Sequence, residues 1–416
     1  HDKARYFERV AEQAEPSSRA GGSKISRAKS YASDLRLSQK KLQCLATESS
    51  IKEYKSQFIV RDSYVVAENV VDFVCDFFGL SRSCSSDEDP LGLVVGLDYG
   101  GGSLKVVVRP YNLSGGHGCL IGLHSEKDSR AITEEVMRDI QCLAGRFRLW
   151  FSGDNKQLQL LIGTSSTACW ACGVVEKRKQ GRHVYDLEAA EDRWVHATKW
   201  AHEYSSKVQR LKRPPCHING QKFVPLVEPN TVLLPWLHIL MGLCRNVFDH
   251  MVRCGASREA LEALLKNKLN ITPTKPISGS TLERTNTMGF TGKDCKVILS
   301  KVADVKAELE GLPKGAEAYR VIDAIETVRF HLMRPNALDD VKNAIEEFRA
   351  AYQDGGFNPS LTVHLLVAHG AQLYEPHSSA SLRLLTEEMV ERVHFDINDL
   401  NKRSQIRSDL LEQITR

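Results

Sequence analysis

The most constraining feature of this sequence is a run of apolar residues from Leu91 to Leu97 that ends on Asp98. A continuous apolar run of this length is typical of a central strand, because both faces of such a strand are buried. Three glycines follow at 100–102, and residues 104–108 form a second, mainly apolar segment. The sequence therefore predicts a β-hairpin in the middle of a sheet, with Asp98 close to its turn.

Composition places the chain among ordinary globular proteins. It has 416 residues, of which 42% are hydrophobic and 26% charged, so it is long enough for two or more domains. Its eleven cysteines are not evenly spaced, which favours buried thiols in a reducing compartment over a disulfide framework. The most apolar window, Val232 to Cys244, is too short to span a bilayer, so no membrane partner is expected. Because the chain begins with His1, we interpret it as a fragment.

Acidic residues occur in three local contexts. Asp98 ends the apolar strand, and it is interpreted as a hairpin residue, a metal ligand, or part of a phosphate loop like that of sugar-kinase and actin-type ATPases. Asp154 ends a short strand where a helix begins, so it is either a metal ligand or a helix cap. Glu387 and Glu391 lie one helical turn apart and share a face with His394, which indicates either a solvated helix or a carboxylate cluster.

Cys169 and Cys172 have the spacing of one half of a Cys2His2 zinc site. His364 and His369 have the spacing of the other half, although nearly two hundred residues separate the two halves. Together they predict a structural zinc site that joins distant segments of the chain. The cysteine pair follows Asp154 and the histidine pair precedes Glu391, so such a site would hold the second and third acidic elements in register.

Basic residues are clustered near these motifs. Residues 1–60 contain twelve Lys/Arg and seven Asp/Glu. Two further clusters are formed by Lys177, Arg178, Lys179 and Arg182, and by Arg210, Lys212 and Arg213. Each cluster alone is compatible with a solvated surface, but several clusters beside a carboxylate site favour a path for nucleic acid.

The order of these motifs resembles the catalytic core of Transib-type DDE transposases and of the related V(D)J recombinase subunit, over roughly residues 91–400. Besides the acidic and zinc-type residues, the similarity includes a Leu-His-x3-Gly segment at 237–242 and a Phe-x-Gly segment with a downstream cysteine at 290–295. The chain departs from the family after Glu391, where Val393 and His394 replace the usual Asn-Lys pair.

The resemblance implies a ribonuclease-H-like α/β fold interrupted by a large helical insertion. It implies DNA cleavage and strand transfer with two Mg²⁺ or Mn²⁺ ions, held by Asp98, Asp154 and Glu391, with Glu387 as the alternative to Glu391. DNA, a second copy of the chain and a nuclear location are the expected partners and compartment. The expected divisions are a helical basic N-terminal region at 1–90, a first core part at 91–185, the insertion at 186–355, and a closing core part at 356–416. Within the first of these, the spacing of apolar residues from Val65 to Phe78 predicts an amphipathic helix over 61–80.

Two alternatives stay open. One is a domesticated, catalytically idle DNA-binding protein that keeps the zinc-joined fold. The other is an ATPase of the sugar-kinase and actin type, for which the sequence lacks a clear second phosphate loop.

Overall fold

The computed structural model describes residues 58–60, 64–80, 91–100, 103–111, 118–179, 182–188, 222–274 and 288–379. Within these ranges the protein is mixed α/β, with one six-stranded mixed sheet, a separate two-stranded sheet and many helices. The expected α/β class is confirmed. Among the described helices, none combines the length and the apolar character needed to cross a membrane.

The main sheet has the strand order β1-β2-β5-β4-β3-β6. All its neighbouring pairs are antiparallel except β3 and β6, which are parallel. The strands of the main sheet are β1 (Phe58–Val60), β2 (Tyr64–Ala67), β3 (Gly92–Gly100), β4 (Ser103–Pro110), β5 (Cys119–His124) and β6 (Arg148–Gly153). The small sheet pairs β7 (Lys177–Lys179) with β8 (Arg182–Val184).

Helices lie between and after the strands of the main sheet, and they form most of the described second half of the chain. They are α1 (Val70–Phe78), α2 (Arg130–Ile140), α3 (Asn155–Ile162), α4 (Trp236–Arg253), α5 (Arg258–Leu269), α6 (Gly292–Lys301), α7 (Lys306–Glu310), α8 (Gly315–Leu332), α9 (Leu338–Asp354), α10 (Leu361–His364) and α11 (Gly370–Tyr374). A π-helical turn, Leu365–His369, lies between α10 and α11. Short 3₁₀ turns lie at Gln141–Gly145, Pro229–Thr231, Val302–Val305 and Glu375–His377.

The predicted hairpin is the centre of the sheet. Strand β3 pairs with β4 along its whole length, and Asp98 lies directly opposite Lys105. The apolar residues of β3 and β4 are buried on both faces, which explains why their sequences do not alternate.

The chain leaves β5 through α2 and returns as β6 beside β3. Gly153 ends β6 close to β3, since a Cβ at this position would lie 2.6 Å from the carbonyl oxygen of Leu97. Downstream, Val232 forms a parallel bridge to Phe151, which adds one more parallel contact on the outer side of β6. Helix α4 begins shortly afterwards.

The two faces of the main sheet carry different elements. In parallel pairs, residues in register project from the same face, so Leu97 and Gly153 share one face and Val94 and Trp150 the other. Helix α3 covers the Leu97 face, where a Cβ on Gly153 would lie 3.3 Å from the Cβ of Gln157.

One stretch differs from the sequence prediction. Residues 61–80 were expected to form a single amphipathic helix, but Tyr64–Ala67 is a strand and the helix begins at Val70. All four residues of β2 are buried, so this short apolar run is a strand covered on both faces. Strand β1, Phe58–Val60, likewise falls within the segment expected to be helical. The domain boundaries proposed from sequence stay a prediction.

We predict that Gly153→Ala destabilises the protein by about 1–3 kcal/mol, because the added methyl group meets a main-chain carbonyl that cannot move without distorting β3. Gly145→Ala is the matched control, since a Cβ at Gly145 has no neighbour within 4 Å. Urea unfolding of both variants and the parent protein measures the difference. Equal stability of the two variants would show that the β3–β6 approach is not constrained as described.

Candidate functional site

Cys169, Cys172, His364 and His369 come together in the folded chain. Their ligand atoms all lie within 4.8 Å of one another, and all four residues are buried. The two halves that the sequence predicted as one site are therefore brought together by the fold.

The cysteine half is a tight turn closed by main-chain hydrogen bonds. The N–H of Cys169 donates to the carbonyl of Val174, and the N–H of Gly173 donates to the carbonyl of Cys169, both at 2.8 Å. Gly173 has a φ of 72°, a left-handed conformation that glycine adopts without strain. This geometry turns the chain immediately after Cys172, so that both thiols face the same point.

The histidine half depends on the π-helical turn. On a regular α-helix, residues five apart are rotated by about 140° from each other, so His364 and His369 would face different directions. The wider turn at Leu365–His369 brings the second histidine back toward the first, and the two ring centroids lie 5.2 Å apart. Single π-helical turns of this kind often occur at functional sites.

Hydrogen bonds outside the cluster orient both imidazoles. Nδ1 of His364 bonds to the main-chain carbonyl of Asp186, which can only accept, so Nδ1 carries the proton and Nε2 is left with a lone pair. That Nε2 lies 3.2 Å from Sγ of Cys172. Nδ1 of His369 bonds to Oε1 of Gln372 at 3.4 Å, which leaves Nε2 of His369 buried without a hydrogen-bond partner among the described residues.

The chemistry of this group fits a metal ion. Burial raises the pKa of Cys169, whereas a hydrogen bond from Cys169, helped by the nearby imidazoles, lowers the pKa of Cys172. A second thiolate in this buried space would need a compensating positive charge. Two soft sulfur ligands, two imidazole nitrogens and an unsatisfied Nε2 match a tetrahedral ion, so the group can hold a metal such as zinc.

The first two acidic residues directly follow the last register pair of the parallel strands β3 and β6. Leu97 pairs with Gly153, so Asp98 and Asp154 occupy the next position of each chain, at a strand spacing of about 4.8 Å. Asp98 is 5% exposed. Carboxylate oxygens are the ligands that Mg²⁺ and Mn²⁺ prefer, so the donor set at this edge fits a divalent cation.

Asp154 also has a structural role. Its Oδ1 accepts a hydrogen bond of 2.7 Å from the N–H of Gln157, and it is the N-cap of α3. Its neighbour Lys156 forms an ion pair of 2.6 Å with the buried Asp128. The helix-cap interpretation of Asp154 is therefore correct, and it leaves the second carboxylate oxygen for another ligand.

The other predicted site residues are only partly described. Glu387 and Glu391 lie outside the described residues, as do Arg210, Lys212 and Arg213. Strands β7 and β8 place Lys177, Arg178, Lys179 and Arg182 on one hairpin, of which the side chain of Lys177 forms an exposed ion pair of 2.6 Å with Asp186.

Sequence reasoning missed a cluster on the Trp150 face of the sheet. The ring of His377 packs edge-on against Trp150 with centroids 4.4 Å apart, and its Nδ1 shares a 2.7 Å hydrogen bond with the hydroxyl of Tyr111. Arg148 lies over the ring of Trp150 at 4.7 Å. Val94 is the register partner of Trp150, so His377 lies on the same sheet face as the side chain of Asp98.

Sequence reasoning also missed Lys105, although its position in the sequence indicates its partner. A single lysine in an apolar return strand, counted back from the glycine turn, falls opposite Asp98. The hydrogen bond from His364 to the carbonyl of Asp186 could not have been predicted from sequence, because a main-chain acceptor can belong to any type of residue.

No protein-family model matches the chain, and no curated protein matches it significantly.

We predict that the purified protein contains one zinc ion per chain, and that Cys172→Ser removes it. The loss should lower the free energy of unfolding by several kcal/mol, because the site joins segments far apart in sequence. Cys142→Ser is the control, since Cys142 is exposed and outside the cluster. Elemental analysis and denaturant unfolding measure both effects. A zinc-free wild-type protein that takes up no zinc on titration would contradict the assignment.

We also predict acid sensitivity from His377. Burial, with a smaller contribution from Arg148, lowers its pKa from 6.5 to about 4. Between these values the unfolded chain binds a proton that the folded chain does not, so stability falls as the pH drops from 6.5 to 4, by about 3 kcal/mol.

His377→Asn should remove this part of the pH dependence in urea unfolding series. Tyr111→Phe breaks the hydrogen bond but keeps the histidine, so it should keep the dependence. An unchanged pH profile in His377→Asn would rule out this histidine as its source.

Proposed function

We propose that the chain is the catalytic core of a DDE-type DNA transposase or recombinase, built on a ribonuclease-H-like sheet. The observation that carries the proposal is that Asp98 and Asp154 each directly follow the last register pair of two neighbouring parallel strands. In open α/β sheets, ligands bind outside the carboxyl ends of such strands.

The strand order supports the same fold. Three antiparallel strands, β5-β4-β3, are followed by a helix and then by β6, which is parallel to β3. The bridge from Val232 to Phe151 continues the parallel side. A ribonuclease-H-like sheet has this arrangement, with its first two acidic residues on the two central parallel strands. Because one fold hosts many functions, the argument for activity rests on the carboxylates.

The zinc-type cluster has a structural task in this proposal. It fastens the turn at Cys169–Cys172, which follows α3 and Asp154, to the helix that carries His364 and His369. The chain then reaches the Asp98 face at His377, shortly before Glu387 and Glu391. This order is compatible with a third carboxylate from that segment, and the resemblance implies Glu391, with Glu387 as its alternative.

Each group at the strand edge has a defined part. Two divalent cations, when bound, supply the charge that activates an attacking oxygen and stabilises the leaving oxygen of a phosphodiester. Asp98 and Asp154 would hold these ions from neighbouring strands. Asp154 is held in place by α3, so its orientation is fixed before any ion arrives. No covalent intermediate with the protein is required.

DNA is the substrate that fits this chemistry. The hairpin β7–β8 carries a basic run, and a second basic cluster lies at 210–213, which together would contact phosphates in a salt-dependent manner. The resemblance also implies a second copy of the chain and a nuclear location, which we include in the proposal.

A second candidate is a catalytically idle DNA-binding protein with the same fold. It is favoured by the structural roles of both carboxylates, since Asp154 caps α3 and Asp98 lies opposite the buried Lys105. Residues with such roles can be retained after activity is lost.

We predict that the protein nicks or joins DNA with Mg²⁺ or Mn²⁺ and no nucleotide, and that Asp154→Asn lowers the rate by about 10³-fold or more. Asparagine is as good an N-cap as aspartate, so α3 should stay intact while the charge needed for metal binding is lost. DNA binding should be kept. Gel assays of cleavage and titrations of DNA binding measure the two effects.

Asp294→Asn is the matched control, because Asp294 also accepts hydrogen bonds at a helix N-terminus, but on α6, where it forms a capping box with Thr291. Salt-dependent DNA binding without any metal-dependent cleavage by the wild-type protein would favour the idle candidate. ATP binding that depends on Asp98, without affinity for DNA, would favour the actin-type ATPase.

A further inference from the structure

Lys105 is a fully buried lysine at the edge of the carboxylate site. Its exposure is 0%, and it lies in strand β4. Its ammonium donates hydrogen bonds to the main-chain carbonyls of Gly100 and Ser103, the latter at 3.3 Å. These carbonyl oxygens accept from two of the three N–H donors but carry no net charge, so a buried ammonium also requires a nearby anion.

Asp98 is the acidic residue that the sheet places opposite this lysine. Side chains of directly opposed residues leave the same face of a sheet, with Cβ atoms about 5 Å apart. Asp98 is itself only 5% exposed, so each of the two charges compensates the burial of the other. Arg109 lies on the same face of β4, but its register partner is Val94, further from the turn.

The hydrogen bonds to Gly100 and Ser103 fix where the ammonium lies. They bind it to the two ends of the hairpin turn, on the side of the sheet where Asp98 projects. A lysine tethered in this way cannot swing into solvent when a cation approaches Asp98, so its positive charge stays beside the site.

We propose that Lys105 is a positioning residue for the metal site: it orients the carboxylate of Asp98 and balances its charge until a divalent cation binds. This inference rests on the proposed function, because it gives Asp98 the role of metal ligand. The same fixed charge repels the incoming cation, so Lys105 weakens metal binding while it holds the ligand in a productive orientation.

Mn²⁺ binding to the full chain tests this proposal, with free Mn²⁺ followed by electron paramagnetic resonance. The Mn²⁺ binding that remains in Asp154→Asn is the binding at places other than the carboxylate site. Lys105→Met should bind Mn²⁺ at that site about tenfold more tightly, because a like charge is removed from within about 6 Å. Its turnover number on DNA should nevertheless fall, since Asp98 is no longer oriented. Lys268→Gln removes an exposed lysine elsewhere and should change neither quantity.

The outcomes separate the two proposals. If Asp154→Asn removes no Mn²⁺ binding, the carboxylate metal site is wrong. If Asp154→Asn removes it but Lys105→Met binds Mn²⁺ as the wild type does, or more weakly, only the role of Lys105 is wrong.

A stability measurement on the metal-free protein is independent of both metal and DNA. Asp98→Asn alone should destabilise the chain because it leaves Lys105 buried without its counter-charge, and adding Lys105→Met should restore stability. If the double variant is as unstable as the sum of the two single variants, Asp98 and Lys105 do not act as a pair and the proposal is overturned.

Discussion

The arrangement of this site depends on the parallel pairing of β3 with β6. These strands are neighbours in the sheet, although β4, β5 and α2 separate them in the sequence. Their register from Gly92↔Arg148 to Leu97↔Gly153 brings Asp98 beside Asp154. A shift of one residue would turn every side chain of β6 to the other face, moving Trp150 away from His377. Gly153 supports this register because only a residue without a Cβ lets β6 lie so close to the carbonyl of Leu97.

The second constraint is the Cys2His2 cluster, which works at longer range. Segments near residues 169 and 364 have no sequence continuity, yet their ligand atoms share one small buried space. Two local features make this possible: the left-handed turn at Gly173 and the π-helical turn before His369. The carbonyl of Asp186 adds a third segment, since it fixes which nitrogen of His364 faces Cys172. The cluster thus ties the end of the sheet to the late helices.

Much of this was accessible from sequence, for identifiable reasons. The β3–β4 hairpin was predicted from an apolar run followed by glycines. The Cys2His2 group was predicted from two pairs of residues, each with the spacing of one half of a zinc site. The prediction of one helix over 61–80 was wrong because the valines of the buried strand Tyr64–Ala67 are spaced nearly as a helix would space them. The pattern therefore looked continuous with the helix that begins at Val70. The pairing of Asp98 with Lys105 could have been counted from the glycine turn, whereas the contact of His377 with Trp150 depends on tertiary packing, which local spacing does not show.

The two candidate metal sites differ in how their ligands are satisfied without an ion. At the strand edge, Asp154 caps α3 and Asp98 lies opposite the buried Lys105, so both carboxylates have a place in the fold without an ion. In the Cys2His2 cluster, Nε2 of His369 has no described partner, and a second thiolate beside Cys172 would be uncompensated. An ion in the cluster removes a penalty that folding otherwise incurs, whereas an ion at the edge must compete with groups that already stabilise the fold. This contrast favours a permanently held structural metal in the cluster, whereas the function that we propose needs only exchangeable ions at the carboxylates.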